Sequence, residues 1–164
     1  MNYSYDTFST PLGDFSVAVD SNGAVAATAF GGVAQLRDRF DPVTLERDTR
    51  SVAEARRQVS EYFSGKRDRF ELKLAPVGSA FQQTVWTALQ QIPHGETRSY
   101  GELASELGRT GAARAVGRAN ATNPICLIIP CHRVIGSDGS LTGFAFGEDI
   151  KRQLLEHEGA LVAV

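Results

Sequence analysis

The sequence is poor in the residues that build disulfide frameworks and metal sites. Its 164 residues include two cysteines and three histidines, and residues 1–93 contain neither type. Cys126 and Cys131 are too few and too close together for a disulfide framework, and no histidine shows metal-ligand spacing with them. We therefore expect no metal site and a reducing, cytoplasmic setting. A P-loop and a dinucleotide fingerprint are also missing.

Long apolar runs and a strong excess of one charge are absent as well. No run approaches the roughly 18 apolar residues of a membrane-spanning helix, and the N-terminal residues lack the pattern of a secretory signal. The formal net charge of −2 gives no support for a polyanionic partner. Residues 80–133 nevertheless carry five arginines against three glutamates, so one segment of the chain is basic.

The patterns along the chain predict an α+β protein with two lobes. In the N-terminal lobe, a small antiparallel sheet is expected around the Asn-Gly turn at Asp20–Gly23, because that dipeptide favours tight hairpins. A helix follows, and Ser51 with Glu54 has the spacing of a capping box at its start. The connection near Ala75–Gly78 then divides the chain into lobes 1–78 and 79–164.

The C-terminal lobe is predicted to be mostly helical, with helices near 81–92, 100–107 and 112–121. The last two are joined by the turn Gly108–Gly111 and have the form of a helix-turn-helix, although any small helical hairpin has the same pattern. Arg114 and Arg118 lie at i and i+4 on one helix face. They form either an ordinary solvated face or a pair of guanidinium groups presented to DNA.

A cluster of chemically useful residues follows Asn123-Pro124, where proline ends the helix. The apolar run 125–129 predicts a short buried strand leading to Cys131. Neighbouring cationic groups lower a thiol's pKa, so Cys131 is a candidate nucleophile, whereas Cys126 lies within the apolar run and is expected to be inert core. Adjacent residues of a strand face opposite ways, so His132 can assist Cys131 only through a turn or a bridging water.

Six ordered motifs cover roughly half of the chain. They resemble the O(6)-alkylguanine-DNA alkyltransferases, the methylated-DNA–protein-cysteine methyltransferases of direct DNA repair. The resemblance implies a ribonuclease H-like lobe at 1–78 and a DNA-binding, catalytic domain at 79–164. The matching segments are Phe81–Trp86, Thr97–Leu103, Ala112–Gly117, Asn123-Pro124, Pro130–Val134 and Leu155–Gly159.

The resemblance also implies roles for the residues of the reaction centre. Cys131 would attack the alkyl carbon, and a relay from Glu158 through His132 and a water would activate it. From the residues alone, Glu158 has the pattern of a solvated acid in the last turn of a helix that begins at Glu148. The resemblance reverses that interpretation. Asn123 would be a hinge between the helix-turn-helix and the active-site strand.

Further residues would hold the substrate. Tyr100 would hydrogen-bond the extruded guanine and contact its phosphate, and Arg114 would fill the gap left in the base stack. Backbone groups at Val134 and Ala145 would contact the guanine edge. Phe144 stands where many relatives have tyrosine, which leaves the preferred alkyl size open. Arg118 and the small Ala115 would complete a helix face that docks in the minor groove.

Taken as a whole, the resemblance implies single-use transfer from O-6 of guanine, or from O-4 of thymine, in duplex DNA, with no cofactor. The chain is expected to be a monomer, and side-by-side assembly on DNA is left open. Two alternatives use the same residues differently. One is a lesion sensor or DNA-binding regulator without chemistry, and the other is a thiol hydrolase using Cys131 and His132.

Overall fold

The computed structural model describes residues 2–42 and 44–161 and divides the chain into two compact units. The first unit comprises the chain up to Val77 together with Pro124–Ile128, and the second comprises Gly78–Asn123 and the chain from Ile129 onward. Strands and helices occur in both units, which confirms the predicted α+β class. Among the described residues, no helix has the length and apolar character needed to cross a membrane.

The first unit is built from a four-stranded sheet and two helices. Its elements are β1 (Asn2–Thr10), β2 (Gly13–Val19), β3 (Val25–Phe30), α1 (Val33–Arg37), β4 (Thr44–Arg47) and α2 (Ala53–Phe63). The strand order is β3-β2-β1-β4, and the turn at Asp20–Gly23 joins two antiparallel strands as predicted. β4 instead pairs with β1 in parallel, so the sheet is mixed rather than wholly antiparallel.

The start of α2 differs from the prediction. Ser51 and Glu54 do not form a capping box, because the N-cap residue is Val52. The Ser51 hydroxyl donates to Oδ2 of Asp48 at 2.8 Å, and the Glu54 carboxylate accepts from Arg57. The Ser51 hydroxyl therefore binds the charged carboxylate of Asp48, three residues earlier, and does not cap the N-terminus of α2.

The second unit is mainly helical. Its elements are α3 (Ala80–Leu89), β5 (Arg98–Ser99), α4 (Tyr100–Glu106), α5 (Ala113–Ala121), β6 (Val134–Ile135) and α6 (Glu148–His157). The predicted helix-turn-helix pair corresponds to α4 and α5, which pack against each other. The indole N–H of the buried Trp86 on α3 donates to the carbonyl of Ala119 on α5 at 2.8 Å. A side chain at position 78 would overlap the Trp86 ring, so the close approach of this ring to the backbone requires glycine at that position.

The predicted strand over 125–129 is not formed. The segment is buried, but Ile125 makes only an isolated parallel bridge to Thr28, and residues 126–128 form a turn in which Leu127 has φ 71°. Thr28 Oγ1 donates to the carbonyl of Cys126 at 2.8 Å. The prediction was wrong because a short apolar run indicates burial without distinguishing a strand from another buried conformation.

Candidate active site

Cys131, His132 and Arg133 form a single 3-10 turn that leads directly into β6. Three residues complete one turn of a 3-10 helix, so their side chains point in three directions instead of alternating between two faces. All three are buried, and 5% of Cys131 is exposed. The side chains of Cys131 and His132 are therefore placed by a turn and not by the alternation of a strand.

His132 is tied to Glu158, which lies 26 residues later at the C-cap of α6. His132 Nε2 and Glu158 Oε2 are 2.8 Å apart, and both side chains are completely buried. The interpretation of Glu158 as a solvated acid, drawn from its position in the helix alone, is wrong. Its carboxylate is the acceptor that orients the imidazole.

Arg133 completes this buried cluster. Its Nε donates to Glu158 Oε1 at 2.8 Å and its Nη2 to Oε2 at 2.9 Å, in a two-pronged ion pair. Nη1 donates to the carbonyl of Ile92, just beyond α3, at 2.7 Å. Glu158 thus accepts hydrogen bonds from an imidazole and a guanidinium at once, and Arg133 links the cluster to the end of α3.

Burial and the neighbouring charges shift the pKa values of Glu158 and His132. Burial by itself would raise the pKa of Glu158, but His132 and Arg133 outweigh burial and hold that pKa far below its usual range. Burial lowers the pKa of His132 despite the adjacent carboxylate. We therefore assign an ionised Glu158 and a neutral His132, with Arg133 supplying the compensating positive charge.

These states determine which nitrogen of His132 is the base. An ionised carboxylate can only accept hydrogen bonds, so Nε2, which faces Glu158, carries the ring proton. Nδ1 then carries the lone pair. It is buried and has no hydrogen-bond partner among the described residues. A basic nitrogen is thus available within the turn that contains Cys131.

Two asparagines, one in the last turn of α5 and one just after that helix, contact the chain around Cys131. Nδ2 of Asn123 donates to the carbonyl of Ile129 at 2.9 Å, and Nδ2 of Asn120 approaches the carbonyl of Cys131 at 3.4 Å. Both side chains are buried. The family resemblance implies that Asn123 is a hinge, and its bond to Ile129 is compatible with that role. Asn120 was not predicted.

Tyr100 begins α4 and is half-buried. Its hydroxyl donates to the carbonyl of Thr142 at 3.1 Å. Gly143 follows with φ +85°, and a Cβ at that position would lie 2.7 Å from the Tyr100 hydroxyl oxygen, so a side chain here would be both strained and obstructed. Burial raises the pKa of Tyr100, and the charge of Cys131 raises it further.

Lys151 is completely buried on α6 and was not predicted as a site residue. Its Nζ donates to the carbonyl of Val134 at 2.5 Å and to that of Thr142 at 3.2 Å. Burial lowers its pKa to about 8, although the charges of Cys131 and Glu148 act in the opposite direction. The Lys151 ammonium and the Tyr100 hydroxyl therefore both bind the carbonyl of Thr142, in the segment after β6.

The other predicted substrate-binding residues lie on and after β6. Val134 is buried, Phe144 is half-buried and Ala145 is exposed. The Phe144 ring meets the Phe146 ring edge-on, with the centroids 5.7 Å apart. Phe144, the residue that left the preferred alkyl size open in the sequence, is thus one member of an aromatic pair.

Three of the predicted DNA-facing residues lie on α5. Arg114 and Arg118 are the charged members, and Ala115 lies between them in the sequence. Arg114 is exposed, whereas Ala115 is half-buried. Arg118 and Ala115 also line a surface hollow with the start of α3, where Phe81 and Gln82 contribute. This arrangement is compatible with both interpretations that the sequence left open.

Metal-ligating residues do not gather in the described parts of the chain. No group of three or more histidine, cysteine, aspartate or glutamate side chains within residues 2–42 and 44–161 could hold a metal ion. The side chains around Cys131 are instead an imidazole, a carboxylate and two cations. That donor set can move a proton and stabilise a thiolate.

Two family models match the chain over nearly its full length. Residues 80–160 match the model described as 6-O-methylguanine DNA methyltransferase, DNA binding domain. Residues 3–76 match the model described as 6-O-methylguanine DNA methyltransferase, ribonuclease-like domain.

Curated proteins and a solved structure are similar to the chain as a whole. The methylated-DNA–protein-cysteine methyltransferase of Methanosarcina acetivorans is 45% identical over 156 residues, covering 95% of this chain and 98% of that protein. The constitutive Bacillus subtilis protein of the same name is 42% identical over 161 residues, with 96% of each covered. The crystal structure of Mycobacterium tuberculosis OGT in complex with DNA has a TM-score of 0.86 and 40% identity, covering 96% of this chain and 93% of that one.

Proposed function

This chain belongs to the 6-O-methylguanine DNA methyltransferases, a family whose curated members are named for methyl transfer from methylated DNA to a protein cysteine, and we propose that Cys131 is the accepting cysteine. The observation that carries the proposal is the buried contact between His132 Nε2 and Glu158 Oε2, at 2.8 Å. His132 lies in the same turn as Cys131. The sulfur of the other cysteine, Cys126, lies 3.2 Å from the Thr28 hydroxyl.

The proposed reaction is a single displacement. The sulfur of Cys131 attacks the alkyl carbon on O-6 of guanine, so a sulfur–carbon bond forms while the carbon–oxygen bond breaks. The bonding electrons remain with the guanine, which takes up one proton to balance the proton lost by the thiol. The products are unmodified guanine and an S-alkyl cysteine. O-4 of thymine presents the same kind of alkyl ether and is a second proposed substrate.

His132 and Glu158 are the groups proposed to remove the thiol proton. Nδ1 carries the lone pair, and we infer that it receives the Cys131 proton through a bridging water. Glu158 holds the imidazole in the required tautomer, and Arg133 keeps the carboxylate ionised. Asn123 would keep Cys131 in register with α5 through the carbonyl of Ile129. Because the thioether is a poor leaving group, each chain would act once.

The pocket for the base is proposed to lie between α4 and the segment after β6. Tyr100 would contact the guanine and its phosphate, and backbone groups of Val134 and Ala145 would contact the guanine edge. Phe144 would form part of the wall near the alkyl group. A base can reach this pocket only after leaving the duplex stack, so we propose that the base is extruded.

DNA is proposed to bind the exposed side of α5. Arg114 would occupy the position vacated by the extruded base, while Arg118 and Ala115 would contact the backbone and the minor groove. The solved complex of the similar Mycobacterium tuberculosis protein with DNA supports a DNA-binding surface in this family. We propose that residues 79–164 provide both DNA binding and transfer, and that the chain acts as a monomer.

Mass spectrometry tests the transfer directly. After incubation with duplex DNA containing O-6-methylguanine, the peptide with Cys131 should gain the mass of one methylene unit, and the DNA should lose the lesion. A methyl group on Cys126, or none on either thiol in protein that removes the lesion, would contradict the assignment. Release of unaltered lesion DNA would instead favour the sensor.

Arg114 should matter for duplex DNA much more than for a free base. Arg114→Ala removes the side chain proposed to replace the extruded base, so transfer from the methylated duplex should slow by about 10- to 100-fold, corresponding to about 1–3 kcal/mol. Transfer from free O-6-alkylguanine should change less than about twofold. Single-turnover rates with both substrates provide the measurement.

The matched control is Arg69→Ala, which removes one positive charge from an exposed position in the first unit. It should leave both rates near those of the unaltered protein. Equal losses for Arg114→Ala with the duplex and with the free base would refute the extrusion role.

A further inference from the structure

Lys151 is a buried cation that the proposed reaction leaves without a task. Complete burial of a lysine is unfavourable unless hydrogen bonds compensate it. Its Nζ donates to the carbonyls of Val134 and Thr142, at 2.5 and 3.2 Å. These acceptors lie on both sides of the turn at 136–140, so one ammonium group ties the two arms of this segment together.

The second acceptor is shared with a residue of the proposed guanine pocket. The Tyr100 hydroxyl donates to the same Thr142 carbonyl at 3.1 Å. Val134, the first acceptor, directly follows the Cys131–Arg133 turn and is itself a proposed guanine contact. Lys151 is therefore one hydrogen bond away from β6 and two from the Tyr100 hydroxyl.

We propose that Lys151 is a positioning residue for alkyl transfer: its buried ammonium holds the carbonyls of Val134 and Thr142, and through Thr142 the Tyr100 hydroxyl, in the geometry that receives the base. This inference rests on the proposed function, since it assigns a task within the same reaction. A displacement requires close alignment of the sulfur, the alkyl carbon and the leaving oxygen. Small movements of the pocket wall therefore slow the transfer reaction strongly.

The charge of Lys151 has a second consequence. Cys131 and Lys151 interact electrostatically, and Lys151 also disfavours a positive charge on His132. The first effect stabilises the thiolate, and the second keeps His132 neutral, and so able to accept a proton, before the reaction. The other charged group that acts on Lys151 is Glu148 on the same helix, while Arg133 and Glu158 act on His132. Lys151 thus favours the reactive form of the nucleophile.

Lys151→Met tests both consequences, because methionine approximates the volume of lysine without its charge or donors. We expect transfer from methylated duplex DNA to slow by about 100-fold. The pH profile for alkylation of Cys131 by iodoacetamide, a probe that needs no guanine pocket, should move upward by about one pH unit. A purely structural lysine would lower the melting temperature without moving this profile.

Arg152→Met is the matched control, since Arg152 is the next residue on α6 and its side chain is exposed. Its rate and profile should equal those of the unaltered protein. Lys151→Arg restores the charge and should restore the iodoacetamide profile. A folded Lys151→Met protein with an unchanged transfer rate or an unshifted profile overturns the proposal.

A measurement on the unaltered protein decides the matter if the variants do not fold. The pKa of the Lys151 ammonium, followed by NMR, should fall by about one unit when Cys131 becomes S-methylated, because methylation removes the opposing charge. The same pKa in both forms overturns the proposal. Failure of the unaltered protein to methylate Cys131 would instead refute the proposed function, so the two failures are distinguishable.

Discussion

Cys131→Ser is expected to abolish methyl transfer and to leave DNA binding intact. The oxygen of serine has nearly the same position as the sulfur, but it is a much weaker nucleophile and has no anionic form near neutral pH. Transfer should fall by at least about 10⁴-fold, as for the loss of other enzymatic nucleophiles. Single-turnover assays with methylated duplex DNA, together with binding measured by fluorescence anisotropy, provide the readouts.

Cys126→Ser is the matched control within the same chain. Cys126 is 1% exposed, and its sulfur lies 3.2 Å from the Thr28 hydroxyl, so a serine at this position retains a hydrogen-bond partner. This variant should transfer methyl groups at a rate close to that of the unaltered protein. If Cys126→Ser lost transfer while Cys131→Ser retained it, the nucleophile would have to be reassigned.

The local features of the site could be predicted from the sequence, whereas its long-range contacts could not. The adjacency of Cys131 to His132 and Arg133 makes it a candidate nucleophile, although the spacing alone does not establish a reactive thiol. The contact with Glu158 spans 26 residues and leaves no local pattern, since an acid at a helix C-terminus is usually solvated. Only the resemblance to a known family placed Glu158 beside His132, and the structure confirms that contact.

Lys151 and Asn120 left a signal that periodicity alone could have detected. Lys151 precedes Leu154 and Leu155 by three and four residues, which places it on the buried stripe of α6. Asn120 follows Val116 by four residues on the corresponding stripe of α5. A polar residue on an apolar stripe must find a partner inside the protein, so such positions indicate candidate site residues.

Burial of the segment 125–129 was also predictable, although its conformation was not. The bridge between Ile125 and Thr28 joins residues 97 positions apart, and the bond from Thr28 to Cys126 joins residues 98 positions apart. Contacts of this kind determine whether a short apolar run becomes a strand or a turn. They depend on the rest of the first unit, which is not encoded in the run itself.

Glu158→Gln is expected to reduce both stability and transfer. Glutamine preserves the shape of the side chain but removes the charge that balances Arg133, whose side chain is 9% exposed. Breaking a buried ion pair typically lowers the free energy of unfolding by about 3–5 kcal/mol. Transfer should slow by about 100-fold or more, because the imidazole loses the acceptor that fixes its tautomer. Urea unfolding and single-turnover assays near neutral pH measure the two effects.

The pH dependence of this stability difference follows from the depressed pKa of Glu158. In the unfolded chain the carboxyl titrates near its ordinary value of 4.5, whereas His132 and Arg133 lower its pKa in the folded protein despite burial. The stabilisation by the ionised group is therefore fully present above about pH 4.5 and is lost as the pH falls through the folded-state pKa. We expect a constant difference between the two proteins from about pH 6 to about pH 8, and a narrowing difference below about pH 4.5.

Glu156→Gln separates this effect from the removal of any negative charge on α6. Glu156 lies two residues before Glu158 and is half-buried rather than enclosed. Its substitution should change the free energy of unfolding by less than about 0.5 kcal/mol and should leave transfer unchanged. A Glu158→Gln protein as stable and as active as the Glu156→Gln control would show that the buried carboxylate neither balances Arg133 nor orients His132. The base would then have to be sought elsewhere around Cys131.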